Sequence, residues 1–101
     1  MSTEIDVEID EKIKQTTITP SKYKVIILND DSTPMDWVVG VLVEIFKHSD
    51  TTAQQLMLTV HKDGSAIAGT YAYEIAEQKS LEAINLSRDN GFPLGFRLEQ
   101  E

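Results

Sequence analysis

Residues 23–36 read YKVIILNDDSTPMD, and this stretch contains a strand signal, a turn and a helix start. The run YKVIIL (23–28) is rich in β-branched residues, which predicts a strand with both faces at least partly covered. Thr33 is typical of a helix N-cap and Pro34 of the first helical position, so a helix is predicted over 34–48. The turn between them carries an amide and two neighbouring carboxylates, which makes it the first candidate for a functional site.

The rest of the chain alternates helix and strand signals. The helix over 34–48 has little polar face, so we expect it to be largely buried. Asp63-Gly64 is expected to end the next helix, and Asn90-Gly91 the third. The further predicted elements are a helix over 51–62, a strand over 66–71, a helix over 72–90 and a strand over 94–99. The order β-α-α-β-α-β predicts an α+β fold with three helices on one face of a three-stranded sheet.

The first 22 residues differ from the remainder. Residues 1–11 carry five carboxylates and no basic side chain, and residues 1–22 contain no aromatic residue. Such a composition is typical of a flexible tail. We therefore predict two parts, an acidic tail over 1–22 and a folded domain over 23–101.

The bulk composition narrows the classes of protein. The 101 residues are enough for one domain with a modest core, and the absence of cysteine excludes disulfides and thiolate metal sites. A net charge of -8 argues against nucleic acid and anionic membranes as partners. The sequence contains no signal-peptide pattern and no run long enough to span a membrane, so a cytoplasmic location is expected.

Catalytic motifs are not evident. The chain has no G-x-S-x-G turn, no P-loop and no G-x-G-x-x-G pattern. His48 and His61, the two histidines, are not spaced as zinc ligands on one helix. A hydrolase that uses the neighbouring Asp30 and Asp31 remains an alternative, but we expect no enzyme and no cofactor.

The spacing of polar and methionine residues favours a binding site. Met57 and His61 are four residues apart and share a helix face, and Met35 follows the acidic turn directly. Such residues also occur in ordinary turns and cores. If the ends of the two helices meet, however, an acidic rim lies beside a methionine-lined hollow. The acceptors there would suit an ammonium group beside an apolar side chain, and they are Asn29, Asp30, Asp31 and His61.

Three stretches closely resemble the ClpS adaptor family. They are YKVIILNDDSTPMDWVVGVL, QQLMLTVHKDGSAIAG and YEIAEQK, and the resemblance runs from about Tyr23 to Glu99. It implies an antiparallel three-stranded sheet and a monomeric, non-catalytic adaptor. Such an adaptor recognises N-degrons, which are proteins that begin with Leu, Phe, Tyr or Trp and have a free α-amino group. It delivers them to the N-terminal domain of a ClpA-type AAA+ unfoldase for degradation by ClpP.

The resemblance also implies roles for individual residues. Asn29, Asp31 and His61 match residues that bind the α-amino group, and Asp30 matches one near the degron backbone. The residues that match the hydrophobic pocket are Thr33, Met35, Val38, Met57, Val60 and Leu94. The surface that matches the unfoldase-docking region contains Glu74 and Lys79, with Glu77 nearby.

Besides the hydrolase, two alternatives remain open at this stage. The chain could be a protein-interaction domain, similar in fold to the C-terminal domain of the ribosomal stalk protein, that ignores free amino termini. It could also be a family variant that binds degrons and inhibits or redirects the protease, because no motif is recognised in the tail.

Overall fold

The computed structural model describes residues 21–101. The predicted tail over 1–22 therefore lies almost entirely outside the described residues, although Lys22 belongs to the first strand. The order β-α-α-β-α-β is confirmed. In chain order the elements are β1 (Lys22–Leu28), α1 (Met35–Glu44), α2 (Asp50–Asp63), β2 (Ser65–Ala72), α3 (Tyr73–Asp89) and β3 (Gly95–Gln100).

The three strands form one antiparallel sheet, as the family resemblance implied, and their order in the sheet is β2-β1-β3. In the β1–β2 ladder the first residue, Lys22, pairs with Ala72, and the last, Leu28, pairs with Ser65. Because β1 has a partner on each side, its backbone is satisfied along both edges, which suits its near-continuous apolar sequence. The central strand therefore delivers its C-terminal end, and the turn after it, to the end of the sheet where β2 begins.

The core lies between the sheet and the helices. Val25 and Ile27 of β1 are fully buried, as expected for alternate residues that point to the same face of a strand. The helices contribute Val41, Leu42 and Ala53 to the same cluster. This packing holds the helix ends in fixed positions around the end of the sheet.

Three expectations about α1 are wrong in detail, and they concern its start, its end and its burial. Pro34 itself is the N-cap, without a side-chain capping bond, so Thr33 is not the N-cap and the helix begins one residue later than predicted. The helix also ends at Glu44, and the chain then bends through Lys47, whose φ of 62° is left-handed. One side of α1 is exposed rather than buried, and its residues are Asp36, Gly40 and Glu44.

The glycine stops of the other two helices are confirmed. Gly64 caps α2 with a left-handed φ of 91°, and its N–H donates to the Val60 carbonyl over 2.9 Å. Gly91 follows α3 with a φ of 84°, and the Phe92 N–H donates back to the Ser87 carbonyl over 2.9 Å. Left-handed backbone of this kind strains residues with a Cβ, so glycine at these positions ends each helix sharply.

Candidate functional site

The acidic turn after β1 is held by its own polar groups. The Thr33 hydroxyl donates to the Asp30 carboxylate over 2.6 Å, and the Thr33 N–H donates to the Asp30 carbonyl over 3.1 Å. These bonds are typical of turn chemistry in which a short acidic side chain satisfies nearby donors. Asp30 and Thr33 therefore shape the turn, and Thr33 is 8% exposed.

A second bond attaches this turn to the end of α2. The Asn29 N–H donates to the Gly64 carbonyl over 2.9 Å, directly beside the pairing of Leu28 with Ser65. Since Gly64 ends α2, this bond brings the last turn of that helix, with the exposed His61, next to the acidic turn. The start of α1 and the end of α2 therefore meet, which is the arrangement that the binding-site hypothesis required.

The turn, α1 and α2 enclose a cavity of about 270 Å³. One part of its lining is polar and another is apolar. Among the apolar residues, the exposed fraction is 43% at Met35 and 3% at Val60. The polar lining residues are Asn29, Asp30, Asp31, Thr33 and His61. The apolar lining residues are Leu28, Pro34, Met35, Val38, Met57 and Val60.

The lining differs from the sequence-based expectation at three positions. Leu94 does not line the cavity; it is 1% exposed and packs in the core, just before β3. Leu28 and Pro34 line it and were missed. The signal for both was their position, since Leu28 ends the strand before the turn and Pro34 lies between two predicted pocket residues.

The acceptors of the cavity are not all used within the turn. The Asn29 amide nitrogen lies 3.5 Å from an Asp31 carboxylate oxygen, the outer limit of a hydrogen bond, which leaves the amide oxygen available as an acceptor. Asp31 is exposed, and the one ion pair within residues 21–101 joins Arg97 and Glu99 instead. The cavity can therefore accept several hydrogen bonds from a cationic group. The described residues contain no group of three or more side chains that could hold a metal ion.

The three residues predicted to dock the unfoldase lie on α3 but differ in environment. Glu74 is exposed, and Glu77 accepts a hydrogen bond of 3.1 Å from the Tyr73 hydroxyl, which raises the pKa of Tyr73. Lys79 is half-buried, and its ammonium donates to the Ile45 carbonyl over 2.8 Å. Lys79 therefore caps the C-terminal end of α1 rather than standing free on the surface.

Known proteins are similar to this chain in sequence and in fold. A family model described as the ATP-dependent Clp protease adaptor protein ClpS matches residues 18–97. The chain belongs to the ClpS family. The ClpS adapter protein of Treponema denticola is 46% identical over 88 residues, which cover 87% of each chain. That of Escherichia fergusonii is 44% identical over 91 residues, which cover 90% of this chain and 86% of the relative.

A solved ClpS structure has the same fold. It is Agrobacterium tumefaciens ClpS2 bound to L-phenylalaninamide, and it superposes with a TM-score of 0.79 and 44% sequence identity. The match covers 81% of this chain and 99% of the other. Within residues 21–101, no helix has the length and apolar character needed to cross a membrane.

Proposed function

We propose that this ClpS family member binds proteins that begin with Leu, Phe, Tyr or Trp and carry a free α-amino group. It then delivers them to a ClpA-type AAA+ unfoldase for degradation by ClpP. The observation that carries the proposal is the composition of the cavity of about 270 Å³ described above, in which hydrogen-bond acceptors lie directly beside an apolar hollow. An N-terminal hydrophobic residue has the two complementary groups on one carbon atom: an ammonium that donates to the acceptors, and an apolar side chain that fills the hollow.

The polar side of the cavity suits the ammonium. Asn29, Asp31 and His61 offer an amide oxygen, a carboxylate and a ring nitrogen, which can each accept one ammonium hydrogen bond. Hydrogen bonds to a charged group contribute roughly 1.5–3 kcal/mol each. An internal Leu or Phe has one neutral backbone N–H in place of an ammonium with three donors, so most of these acceptors stay unpaired and the residue is rejected.

The apolar side suits one side chain. The cavity is slightly smaller than the ~300–1,000 Å³ of sites for drug-sized molecules, so it is matched to one residue. Burial of a Leu or Phe side chain contributes ~1.5–3 kcal/mol, and the flexible methionine side chains adapt to different shapes. Ordering of the peptide opposes these gains, so a net near -8 kcal/mol, or about micromolar affinity, is expected.

The solved relative supports this chemistry. L-Phenylalaninamide, the ligand of the Agrobacterium tumefaciens protein, combines an aromatic side chain with a free α-amino group and a neutral carboxamide. It therefore resembles the first residue of a polypeptide. Binding of such a group needs no covalent step, and we propose an adaptor rather than an enzyme.

Delivery requires a second surface. We propose that the exposed start of α3, with Glu74 and Glu77, contacts the N-terminal domain of the unfoldase. Lys79 lies on the same helix, two residues beyond Glu77, but its ammonium is already engaged with Ile45. The monomeric state and the cytoplasmic location remain predictions from the sequence.

Acetylation of the peptide tests the binding proposal most directly. We expect a labelled Phe-starting peptide with a free amino group to bind with about micromolar affinity in a fluorescence anisotropy titration. The same peptide with an acetylated amino group should lose most of that affinity, because acetylation removes the charge, leaves only one N–H donor and adds bulk. Equal affinities would contradict the proposal and favour the interaction domain that ignores free amino termini.

Two substitutions within one turn provide the matched control. Asp31→Asn removes a carboxylate that lines the cavity. It should lower the affinity for the peptide with a free amino group about tenfold or more, since loss of a charged hydrogen bond costs over 1.4 kcal/mol. Ser32→Ala changes the neighbouring exposed residue, which does not line the cavity, and should leave affinity unchanged. A similar loss in both variants would indicate a distorted turn rather than a lost ligand.

A further inference from the structure

A second cavity, of about 160 Å³, lies between α1 and α3 and shares no lining residue with the first. We call it the α1–α3 groove. Its volume is well below that of typical small-molecule sites, so it is suited to one apolar side chain of a larger partner. The residues that line it are Asp36, Trp37, Gly40, Val41, Glu44 and Leu86.

The walls of the groove are held in place by contacts outside it. The Trp37 indole N–H donates to the Ser87 hydroxyl over 2.8 Å, and the ring lies 5.1 Å from that of Phe92. Val41 is 3% exposed, whereas Leu86 is 42% exposed and offers apolar surface to a partner. A fixed apolar pocket with an aromatic wall loses little freedom when it is filled, which is typical of a binding hot spot.

Gly40 is not required by the fold. A Cβ atom at this position would meet nothing within 4 Å among the described residues, and the backbone is helical rather than left-handed. Glycine inside a helix costs up to ~1 kcal/mol relative to alanine. The one visible consequence of this glycine is an open groove wall, which permits close approach of another backbone.

Negative charges at the two ends of the groove favour a cationic partner. Asp36 and Glu44 lie four residues before and after Gly40, so they are separated by about 12 Å along the helix axis. Both are exposed, and neither takes part in the single ion pair found within residues 21–101. A second copy of this chain would place carboxylates against carboxylates, and the net charge of -8 opposes anionic surfaces.

We propose that the α1–α3 groove docks a cationic amphipathic helix of a partner protein. The helix carries an apolar residue at position i+4, which enters the groove, and Lys or Arg at i and i+8. Residues at this spacing lie about 12 Å apart in the partner as well, which matches Asp36 and Glu44. Gly40 allows the two helices to cross closely at the apolar residue. This inference does not depend on the binding of N-degrons.

A designed peptide tests the groove without engaging the degron cavity. The probe is an alanine-rich helix with Lys, Leu and Lys at i, i+4 and i+8, with a dye on its amino group and an amidated C-terminus. We expect saturable binding by anisotropy at low salt, together with a change in the emission of Trp37, the only tryptophan of the chain. A probe with Glu in place of both Lys residues should bind at least about tenfold more weakly.

Substitutions in the groove complete the test. Gly40→Gln should lower the affinity for the probe at least about tenfold, because the glutamine side chain fills the groove. It should also raise the melting temperature of the protein, because glutamine favours the helix more than glycine does. Leu86→Gln, at an exposed position, is the second variant and should also weaken the probe. Both should bind a Phe-starting peptide as the unmodified protein does, since neither residue lines the degron cavity.

Several results would overturn this inference. They are the absence of saturable binding, equal affinity for the Lys and Glu probes, and unchanged affinity in both groove variants. Self-association of the unmodified protein that is lost in Gly40→Gln, measured by sedimentation, would assign the groove to a second copy and exclude the cationic helix.

Discussion

The polar residues of the acidic turn divide into two groups by their partners. Asp30 and Thr33 bond to each other and hold the turn, whereas Asn29 and Asp31 keep acceptors available at the rim of the cavity. Thus the observed turn chemistry and the proposed ligand binding, which the sequence presented as alternatives, use residues of the same five-residue stretch. The Thr33 hydroxyl bonds to Asp30, and no hydroxyl among the described residues bonds to Asp31.

Met35 is the residue where a substitution should change specificity. Its side chain is 43% exposed and lines the cavity, so Met35→Ala should enlarge the apolar hollow at little cost in stability. We expect peptides that begin with Ile or Val to gain affinity relative to those that begin with Leu. Anisotropy titrations with peptides that differ only in the first residue measure this change.

Met57 supplies the matched control. It also lines the cavity but is 8% exposed and belongs to the core cluster, so Met57→Ala should lower the free energy of unfolding by about 2–5 kcal/mol. Met35→Ala should lower it by less than about 1 kcal/mol. If the two variants lost equal stability in urea unfolding, Met35 would belong to the core and its proposed role in selecting side chains would be wrong.

Tyr71 should make stability depend on pH under alkaline conditions. Burial raises the pKa of Tyr71 above its usual 10.0, so the folded state favours the neutral phenol. This contribution is fully present below pH 10 and is lost as the pH rises through the higher folded-state pKa, because the unfolded state releases the proton first. We expect the melting temperature to fall in this range, and Tyr71→Phe to reduce the fall.

Tyr73→Phe is the comparison for that experiment. The hydrogen bond to Glu77 raises the pKa of Tyr73 as well, but this hydroxyl is open to solvent, so its effect on stability should be smaller. A decline in melting temperature that is equally steep in Tyr71→Phe and in the unmodified protein would show that another group is responsible.

At the scale of elements, the C-terminal end of α1 depends on a residue of α3. Lys79 donates to the Ile45 carbonyl and lies 5.4 Å from the ring centroid of Tyr71 in β2. Lys79→Met keeps most of the side-chain length but removes the charged donor, and should cost about 1–3 kcal/mol. For a domain of this size that is a decrease in melting temperature of at least about 4 °C, measurable by calorimetry.

This structural role affects how the docking surface is tested. Glu74→Gln removes a charge from an exposed residue of the same helix and should leave the melting temperature unchanged. If the start of α3 docks the unfoldase, Glu74→Gln should weaken that contact without loss of stability. Lys79→Met with an unchanged melting temperature would show instead that the bond to Ile45 contributes little.

At the scale of the whole molecule, the described residues that line the larger cavity all come from one part of the folded domain. All its lining residues lie between Leu28 and His61, and the sheet and helices that hold them are part of residues 21–101. We therefore expect binding and delivery to be separable. We also expect the N-terminal tail, which lies almost entirely outside the described residues, to serve the transfer to the unfoldase.

Deletion of residues 2–18 should separate the two activities. The truncated protein should keep its affinity for a Phe-starting peptide and its melting temperature, because no cavity residue is removed. Degradation of an N-degron reporter by the cognate unfoldase and protease should become much slower. Peptide titration and reporter degradation on the same truncated protein provide the measurement.

Either of two results would revise this account. Undiminished degradation would show that the N-terminal extension has no part in delivery. Loss of peptide affinity would show that the extension contributes to the cavity, and the domain boundary predicted at Tyr23 would be wrong.

The sequence by itself determined the elements, because their signals are local. The β-branched run of β1 and the glycines after α2 and α3 act within a few residues, and the structure confirms each of them. The motif NDDSTPM, together with His61 four residues after Met57, also indicated a cation-binding rim beside an apolar hollow before any contact was known.

The tertiary structure decided which of these side chains are free to bind. Lys79 and Ile45 are 34 residues apart, and Trp37 and Ser87 are 50 apart, so no local pattern could show that these pairs bond. Leu94 likewise packs in the core and does not line the cavity, although the resemblance placed it in the pocket, because the packing of the helices on the sheet determines its surroundings. Side-chain partners depend on contacts that only chain folding creates, whereas strand and helix signals lie within the segments themselves.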